Sequence, residues 1–212
     1  MRDIQELVDG YRRFLGDRYP REAELYRALA EEGQAPKTMI IACCGSRADP
    51  SAIFSASPGQ LFIVRNVANL VPPHEPHGDY HGTSAALEFA VERLKVENIL
   101  VMGHARCGGI EAFLAGLYQP TEEPGFIDRW MSLLNPARTD ALRDAANSSK
   151  EGQQEAMEHA AIRHSLENLT TFPCVKERLA DGNLHLHGAY FDITDGRLLA
   201  LDLESVQFQT VA

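Results

Sequence analysis

Three short apolar runs follow one another in the first half of the chain, at residues 38–43, 61–64 and 98–102. Each run is apolar at consecutive positions, a pattern typical of strands in a parallel sheet that helices cover on both sides. Between the second and third runs, residues 83–95 carry a mostly apolar surface at helical spacing. A strand, a crossover helix and another strand in this order predict a βαβ unit.

The C-terminal half predicts further helices and a closing pair of strands. An apolar stretch at 184–191 is followed by Asp195-Gly196, a dipeptide that favours a tight turn, and by a second stretch at 197–201. We therefore expect the last strand to run antiparallel to its neighbour. Helical patterns precede this hairpin at 127–134, 139–146 and 152–179. The predicted fold is α/β, with a central, mostly parallel sheet of about four parallel strands plus an antiparallel edge strand, flanked by helices.

An amphipathic helical arm is predicted at the N-terminus, over residues 2–34. An apolar stripe at 3.6-residue spacing runs through 4–15, and Pro20 interrupts the pattern. Such a face packs either on a partner subunit or on the chain's own core, and the sequence leaves both possibilities open. We divide the chain into this arm, at 1–35, and a single α/β domain at 36–212.

The charge balance is acidic, because 20 Lys and Arg against 30 Asp and Glu give the 212 residues a net charge of −10. Nucleic acid is therefore a poor partner, since its binding depends on basic side chains that neutralise phosphates. No apolar run approaches the roughly 18–20 residues that a membrane span needs, and the first residues lack the apolar core of a secretory signal. We expect a cytoplasmic protein whose partners are small molecules or other protein chains.

Soft metal ligands gather at the ends of the first and third predicted strands. Cys43 ends the first strand, and His104 and Cys107 follow the third. The carboxyl ends of neighbouring parallel strands meet at one edge of a sheet, where binding sites form. Two thiolates, one imidazole and an open fourth position are a ligand set of catalytic zinc, and their softness favours zinc over magnesium or calcium. Each cysteine alone has a simpler explanation, because cysteine is commonly a buried core residue.

The motifs around these residues resemble those of the β-class carbonic anhydrases. They are Cys-Cys-Gly-Ser-Arg from residue 43, Arg-Asn-Val-Ala-Asn from residue 65 and Gly-His-Ala-Arg-Cys-Gly-Gly from residue 103. The resemblance is close over residues 36–117 and extends to the strand at 187–192. It implies that Cys43, His104 and Cys107 bind one zinc ion, and that zinc-bound hydroxide converts CO₂ reversibly to bicarbonate and a proton. It also implies a homodimer or a multiple of dimers, in which the arm wraps a partner subunit.

One position departs from the family pattern Cys-x-Asp-Ser-Arg, because Gly45 stands where the family has aspartate. In the family this carboxylate forms a dyad with the arginine beside the metal, and here Ser46 and Arg47 remain as candidate catalytic residues. The departure implies activity that is weak or shifted to alkaline pH. Two alternatives stay open: hydrolysis of a CO₂ analogue such as COS or CS₂ on the same scaffold, and a catalytically silent protein that binds zinc and bicarbonate.

Other residues have candidate supporting roles in substrate binding or proton transfer. Gly108 and Gly109 begin a helix whose free backbone N–H groups favour bicarbonate, although close packing near the metal explains two glycines equally well. Arg65 ends the second strand and either contacts the substrate or forms a salt bridge elsewhere. In the histidine-rich loop 74–81, His81 is the best candidate proton shuttle because it immediately precedes the crossover helix.

Two neighbours of the first cysteine are not expected to bind the metal. Cys44 should point away from the site if the alternation of the strand persists, and we expect a buried thiol there. Asp49 precedes Pro50, and we expect it to cap the N-terminus of a helix rather than to replace the missing carboxylate.

Overall fold

The structure, a computed structural model, describes residues 2–76, 81–118 and 122–211. Within those ranges a six-stranded sheet forms the centre of the molecule, in the order β2-β1-β3-β4-β5-β6. The strands are β1 Thr38–Cys43, β2 Leu61–Asn66, β3 Asn98–His104, β4 His185–Phe191, β5 Leu198–Asp202 and β6 Gln207–Thr210. The first four strands are parallel, and β5 runs antiparallel to β4. The predicted mostly parallel α/β sheet is thereby confirmed.

The edge of the sheet differs from the prediction, because β5 is not the last strand. β6 pairs antiparallel with β5 and forms the edge. Its sequence is largely polar and three of its four side chains are exposed, so it carries no apolar run that would predict a strand. Backbone pairing with β5, rather than burial, accounts for this element.

The register of the parallel strands brings the two candidate motifs together. Thr38 of β1 lies opposite both Leu61 of β2 and Asn98 of β3, and Ala42 lies opposite Met102. β1 therefore ends at Cys43 beside the end of β3 at His104. This neighbourhood follows from β1 and β3 being adjacent and parallel, as the sequence predicts.

Helices cover the sheet and contribute to its core. They are α1 Arg2–Arg13, α2 Tyr19–Glu32, α3 Pro50–Ile53, α4 Gly82–Glu88, α5 Gly108–Leu114, α6 Phe126–Met131, α7 Asn135–Asp144, α8 Lys150–Leu169 and α9 Pro173–Ala180. α8 is the longest described helix and packs on β3 and β4, where Ile162 and Leu169 join the main core. Another hydrophobic cluster lies on the other face of the sheet, around Ile40 and Ala42 of β1. None of the described helices is long and apolar enough to cross a membrane.

The N-terminal arm is one nearly continuous helical segment with a wider turn inside it. A π-helical turn at Phe14–Arg18 joins α1 to α2, and the Tyr19 N–H donates to the Phe14 carbonyl. Pro20 cannot donate the next helical hydrogen bond, so the interruption predicted at this point takes the form of a wider turn instead of a break in the helix. The apolar side chains of α1 remain exposed, among them Leu7 at 71%. The possibility that this face packs on the chain's own core is therefore also wrong.

Candidate metal centre

Three side chains that can bind a metal converge where β1 and β3 end. Cys43 is the last residue of β1, His104 is the last of β3, and Cys107 is the N-cap residue of α5. The turn between the last two is tight, with Arg106 at a φ of 57°. The ligand atoms of the three buried side chains all lie within 4.8 Å of one another, and the two sulfur atoms are 3.7 Å apart. The structure thus brings together the three predicted ligands.

His104 is oriented with one ring nitrogen free for a metal. Its Nδ1 lies 2.8 Å from the Ala105 carbonyl oxygen, which requires the proton on Nδ1 and leaves a lone pair on Nε2. Nε2 is buried and has no hydrogen-bond partner in the described part of the chain. A buried imidazole nitrogen without a partner is costly, and coordination of a cation at this position removes that cost.

The two thiols form a buried pair that prefers to keep one proton. A hydrogen bond from Cys107 lowers the pKa of Cys43 to about 4, and the same interaction together with burial raises the pKa of Cys107 well above its usual range. Two thiolates 3.7 Å apart in an apolar cluster repel each other. A divalent cation between them compensates both charges, so the donor set fits a soft metal ion such as zinc.

The pKa of the His104 imidazole depends on burial, on Cys43 and on the carbonyl beside it. Burial opposes the imidazolium form, but the nearby Cys43 thiolate, together with the hydrogen bond to the Ala105 carbonyl, raises the pKa of His104 above its usual value. The proton and a metal ion therefore compete for the same end of the ring, since a bound metal requires neutral imidazole.

Gly45 lies directly against the free nitrogen of His104. A Cβ atom built on Gly45 would be 2.8 Å from His104 Nε2 and 3.2 Å from Cε1, both closer than an ordinary contact. The Gly45 N–H also lies 3.4 Å from the Cys43 sulfur, which it approaches as a donor. Glycine therefore lets the backbone of the first motif come close to the predicted ligand atoms.

The remaining catalytic candidates of the first motif lie in an exposed turn. Ser46 and Arg47 are both exposed, and the Arg47 guanidinium donates to the Arg106 carbonyl oxygen at 2.9 Å. This bond ties the turn after β1 to the turn after β3. Arg47 is thus placed between the two motifs, and its catalytic role stays a prediction.

Arg65 holds the first motif in place from the neighbouring strand. Its guanidinium donates to the carbonyl oxygens of Cys43, at 3.0 Å, and Gly45, at 2.6 Å, and forms a salt bridge with Asp49 at 2.8 Å. The salt-bridge interpretation of Arg65 is therefore confirmed, and its substrate role stays a prediction. Asp49 also accepts from Ser51 N, which confirms it as a helix cap.

Cys44 is exposed, so the prediction of a buried thiol is wrong. The reason is that β1 ends at Cys43, and the alternation of strand faces does not continue into the turn that follows.

The glycines after Cys107 have different surroundings. A Cβ on Gly109 would meet Val67 Cγ1 at 2.9 Å, whereas a Cβ on Gly108 would meet nothing within 4 Å. The backbone N–H groups of Gly109 and Ile110 interact with the Cys107 sulfur, which partly offsets the rise in the pKa of this thiol. Close packing thus explains Gly109, and bicarbonate binding at either glycine stays a prediction.

His81 lies in a groove that is separate from the three predicted ligands. The groove, of about 510 Å³, is lined by His74, Glu88, Phe172 and Cys174 among others, and none of Cys43, His104 and Cys107 is among its described lining residues. His77 of the same loop lies outside the described residues. The shuttle role of His81 stays a prediction.

The structure adds a buried carboxylate that sequence reasoning missed. Glu158 of α8 accepts hydrogen bonds from the Cys107 N–H and from the Tyr190 hydroxyl, both at 2.8 Å. The available signal was an acidic residue on the mostly apolar buried face of α8, beside Met157 and Ile162. No local motif identifies its partners, which lie 51 and 32 residues away.

Comparison with known proteins finds one family along most of this chain. The family described as carbonic anhydrase matches residues 38–198. Among curated proteins, β carbonic anhydrase 5 of Arabidopsis thaliana, a chloroplastic protein, is 43% identical over 178 residues, which are 84% of this chain and 58% of that protein. A carbonic anhydrase of Pseudomonas aeruginosa is 41% identical over 214 residues, covering 99% of this chain and 92% of that one. The chain thus spans a little over half the length of the Arabidopsis relative.

Solved structures agree with the sequence comparison. The β-carbonic anhydrase CcaA superimposes with a TM-score of 0.90 at 29% identity, covering 100% of this chain and 93% of that one. A structure from a study of two tetrameric β-carbonic anhydrases of the fungus Sordaria macrospora superimposes with a TM-score of 0.81 at 27% identity, covering 95% and 98%. The superposition on CcaA covers the whole of this chain and therefore every strand of the sheet.

Proposed function

Since the chain belongs to the β-class carbonic anhydrase family, we propose that it catalyses the reversible hydration of CO₂ to bicarbonate and a proton, with one zinc ion per chain. The observation that carries the proposal is the convergence of three buried ligand atoms within 4.8 Å, one of them an imidazole nitrogen without a partner among the described residues. The Pseudomonas relative is named carbonic anhydrase and matches this chain over nearly its whole length, which supports the same reaction.

Cys43, His104 and Cys107 are the residues that would hold the zinc. A zinc ion held by two thiolates and one imidazole supplies a Lewis acid that activates water for attack on the carbon of CO₂. Three protein ligands would leave room on the ion for an exchangeable ligand from solvent.

The chain's own residues keep these ligands in a reactive state. The Ala105 carbonyl fixes the tautomer of His104, and the N–H groups of Gly109 and Ile110 favour the thiolate form of Cys107. The apolar cluster that contains Cys43 and Cys107 keeps the surroundings of the site poor in water, which strengthens every charge interaction within it.

Gly45 is the reason to expect a weak or alkaline-shifted enzyme. A glycine has no side chain to accept a hydrogen bond from the attacking water, and Arg47 donates to the Arg106 carbonyl instead of a dyad carboxylate. One hydrogen bond to a charged group contributes about 1.5–3 kcal/mol, so its loss lowers the rate by roughly ten- to a hundredfold. The same absence favours a catalytically silent zinc-binding protein as the second candidate.

We also propose that the arm docks on a second copy of the chain, as part of a dimer or a multiple of dimers. The exposed apolar side chains of α1 and the tetrameric Sordaria relatives support this assembly. The division into an arm at 1–35 and a catalytic domain at 36–212 is part of the same proposal, and the cytoplasm stays the predicted compartment.

Stopped-flow measurement of CO₂ hydration across pH 6.5–9, on zinc-replete protein, tests the proposed reaction. We expect catalysis that rises toward alkaline pH, loss of catalysis in Cys43→Ser, and unchanged catalysis in the matched control Cys174→Ser, whose thiol lies outside the ligand cluster. Full activity at pH 7 would contradict the role given to Gly45. Stoichiometric zinc without any hydration would favour the silent binder, and turnover of COS or CS₂ in preference to CO₂ would favour the analogue hydrolase.

A further inference from the structure

Glu158 is a carboxylate that is almost completely buried yet lies outside every motif that carries the family resemblance. It is 3% exposed and projects from α8 toward the turn that contains Cys107. Burial raises its pKa, so the fold accepts an energetic cost to keep a carboxyl group at this position. A buried polar group is retained when its hydrogen bonds are satisfied, and those of Glu158 are unusually complete.

Both oxygens of Glu158 are occupied by donors from three different segments. One oxygen accepts from the Cys107 N–H at 2.8 Å and from Gln154 Nε2 at 2.9 Å, and the other accepts from the Tyr190 hydroxyl at 2.8 Å. Gln154 also donates to the Cys107 carbonyl oxygen at 3.3 Å. Helix α8 therefore holds both backbone polar groups of Cys107.

The position of the Cys107 backbone decides where its sulfur lies. Cys107 is the N-cap of α5 and follows Arg106, whose φ of 57° lies in the left-handed region. Without Glu158 the buried Cys107 N–H would lose its acceptor, and the turn would relax to find another. The sulfur would then leave its place 3.7 Å from the Cys43 sulfur.

We infer that Glu158 is a positioning residue for the metal centre, which fixes Cys107 through its backbone so that the three ligand atoms fit one tetrahedral ion. The inference rests on the proposed function in that the ion is zinc. Groups that orient ligands in this way typically contribute 10–100-fold to metal affinity. Tyr190 and Gln154 complete the arrangement by holding the carboxylate itself.

Two substitutions separate positioning from charge. Glu158→Gln keeps the length and one acceptor oxygen for the Cys107 N–H, and its amide N–H can donate to the Tyr190 hydroxyl oxygen. Glu158→Asp keeps the charge but is shorter by one carbon–carbon bond, about 1.5 Å. It therefore cannot reach Cys107 and Tyr190 together. Ser165→Ala is the matched control, because Ser165 is a fully buried polar residue of α8 whose hydroxyl bonds to Asn69 and Val71.

The test measures zinc affinity by competition with a chromophoric chelator, and the d–d bands of the cobalt-substituted protein as a reporter of ligand geometry. We expect Glu158→Asp to bind zinc 10–100-fold more weakly with altered cobalt bands, and Glu158→Gln and Ser165→Ala to resemble the unsubstituted chain. Unchanged affinity and bands in Glu158→Asp would overturn the inference, as would an equal loss in Glu158→Gln. If Glu158→Asp does not fold, Gln154→Ala decides, with weaker zinc binding expected and unchanged binding contradicting it. Failure of the unsubstituted chain to bind zinc would instead refute the proposed function.

Discussion

Replacing Gly45 by aspartate should both strain the metal centre and speed its reaction. The substitution restores the carboxylate that the family dyad has and this chain lacks. The structure makes the steric part of the effect specific, because a Cβ at residue 45 would lie 2.8 Å from His104 Nε2, whereas ordinary contacts begin near 3.4 Å.

Neither partner in this contact can move freely. The His104 ring is 1% exposed and its Nδ1 is held by the Ala105 carbonyl, while the Gly45 carbonyl is held by Arg65 at 2.6 Å. Overpacking of this kind costs about 1–3 kcal/mol of unfolding free energy. Gly45→Ala introduces the same Cβ without a carboxylate, so it should show the full cost and no catalytic gain.

The assay combines urea unfolding at fixed protein concentration with stopped-flow CO₂ hydration of zinc-replete protein. We expect both variants to lose about 1–3 kcal/mol of stability, and only Gly45→Asp to gain rate, by roughly ten- to a hundredfold, with its pH profile shifted toward neutrality. A Gly45→Asp rate equal to that of Gly45→Ala would refute the role given to the carboxylate. An unchanged unfolding free energy in Gly45→Ala would refute the close approach.

Three further predictions concern pH, metal and assembly. Burial lowers the pKa of His159 to about 4 from an ordinary 6.5, so the unfolded chain takes up its proton first as the pH falls and the free energy of unfolding declines between pH 6.5 and 4. In urea unfolding, the unsubstituted chain should lose about 2 kcal/mol more than His159→Phe from pH 7 to pH 5, and equal losses would contradict this. Removal of zinc by a chelator should lower the melting temperature, because the ion binds only the folded chain, and an unchanged melting temperature would contradict a bound ion. Deletion of residues 2–32 should reduce the number of chains per particle, taken from the molar mass measured by light scattering, while the circular dichroism of the core stays intact. An unchanged number of chains per particle would contradict the docking of the arm.

The positions of the predicted ligands followed from sequence because two rules act together there. Apolar runs at β1 and β3 predict parallel strands, and parallel neighbours end at the same edge, so Cys43 and His104 had to lie close. Asp49 could be predicted as a cap because capping depends on residues adjacent in sequence. These are features that the local pattern determines.

Features that depend on distant partners were not predictable in the same way. The long-range partners of Glu158 lie on β4 and in the turn before α5, and nothing within its own helix indicates them. The amphipathic stripe of α1 indicates an apolar face without identifying what covers it. Cys44 was misjudged because the end of β1 depends on pairing with its neighbours and not on the apolar character of the residue.

Zinc K-edge X-ray absorption on the purified protein tests the central claim most directly, since it measures the atoms bound to the metal. The account predicts one zinc ion per chain with two sulfur ligands at about 2.3 Å, from Cys43 and Cys107, and two nitrogen or oxygen ligands at about 2.0–2.2 Å, from His104 and an exchangeable ligand. Absence of stoichiometric zinc, or a shell with three or four sulfur atoms, would contradict it.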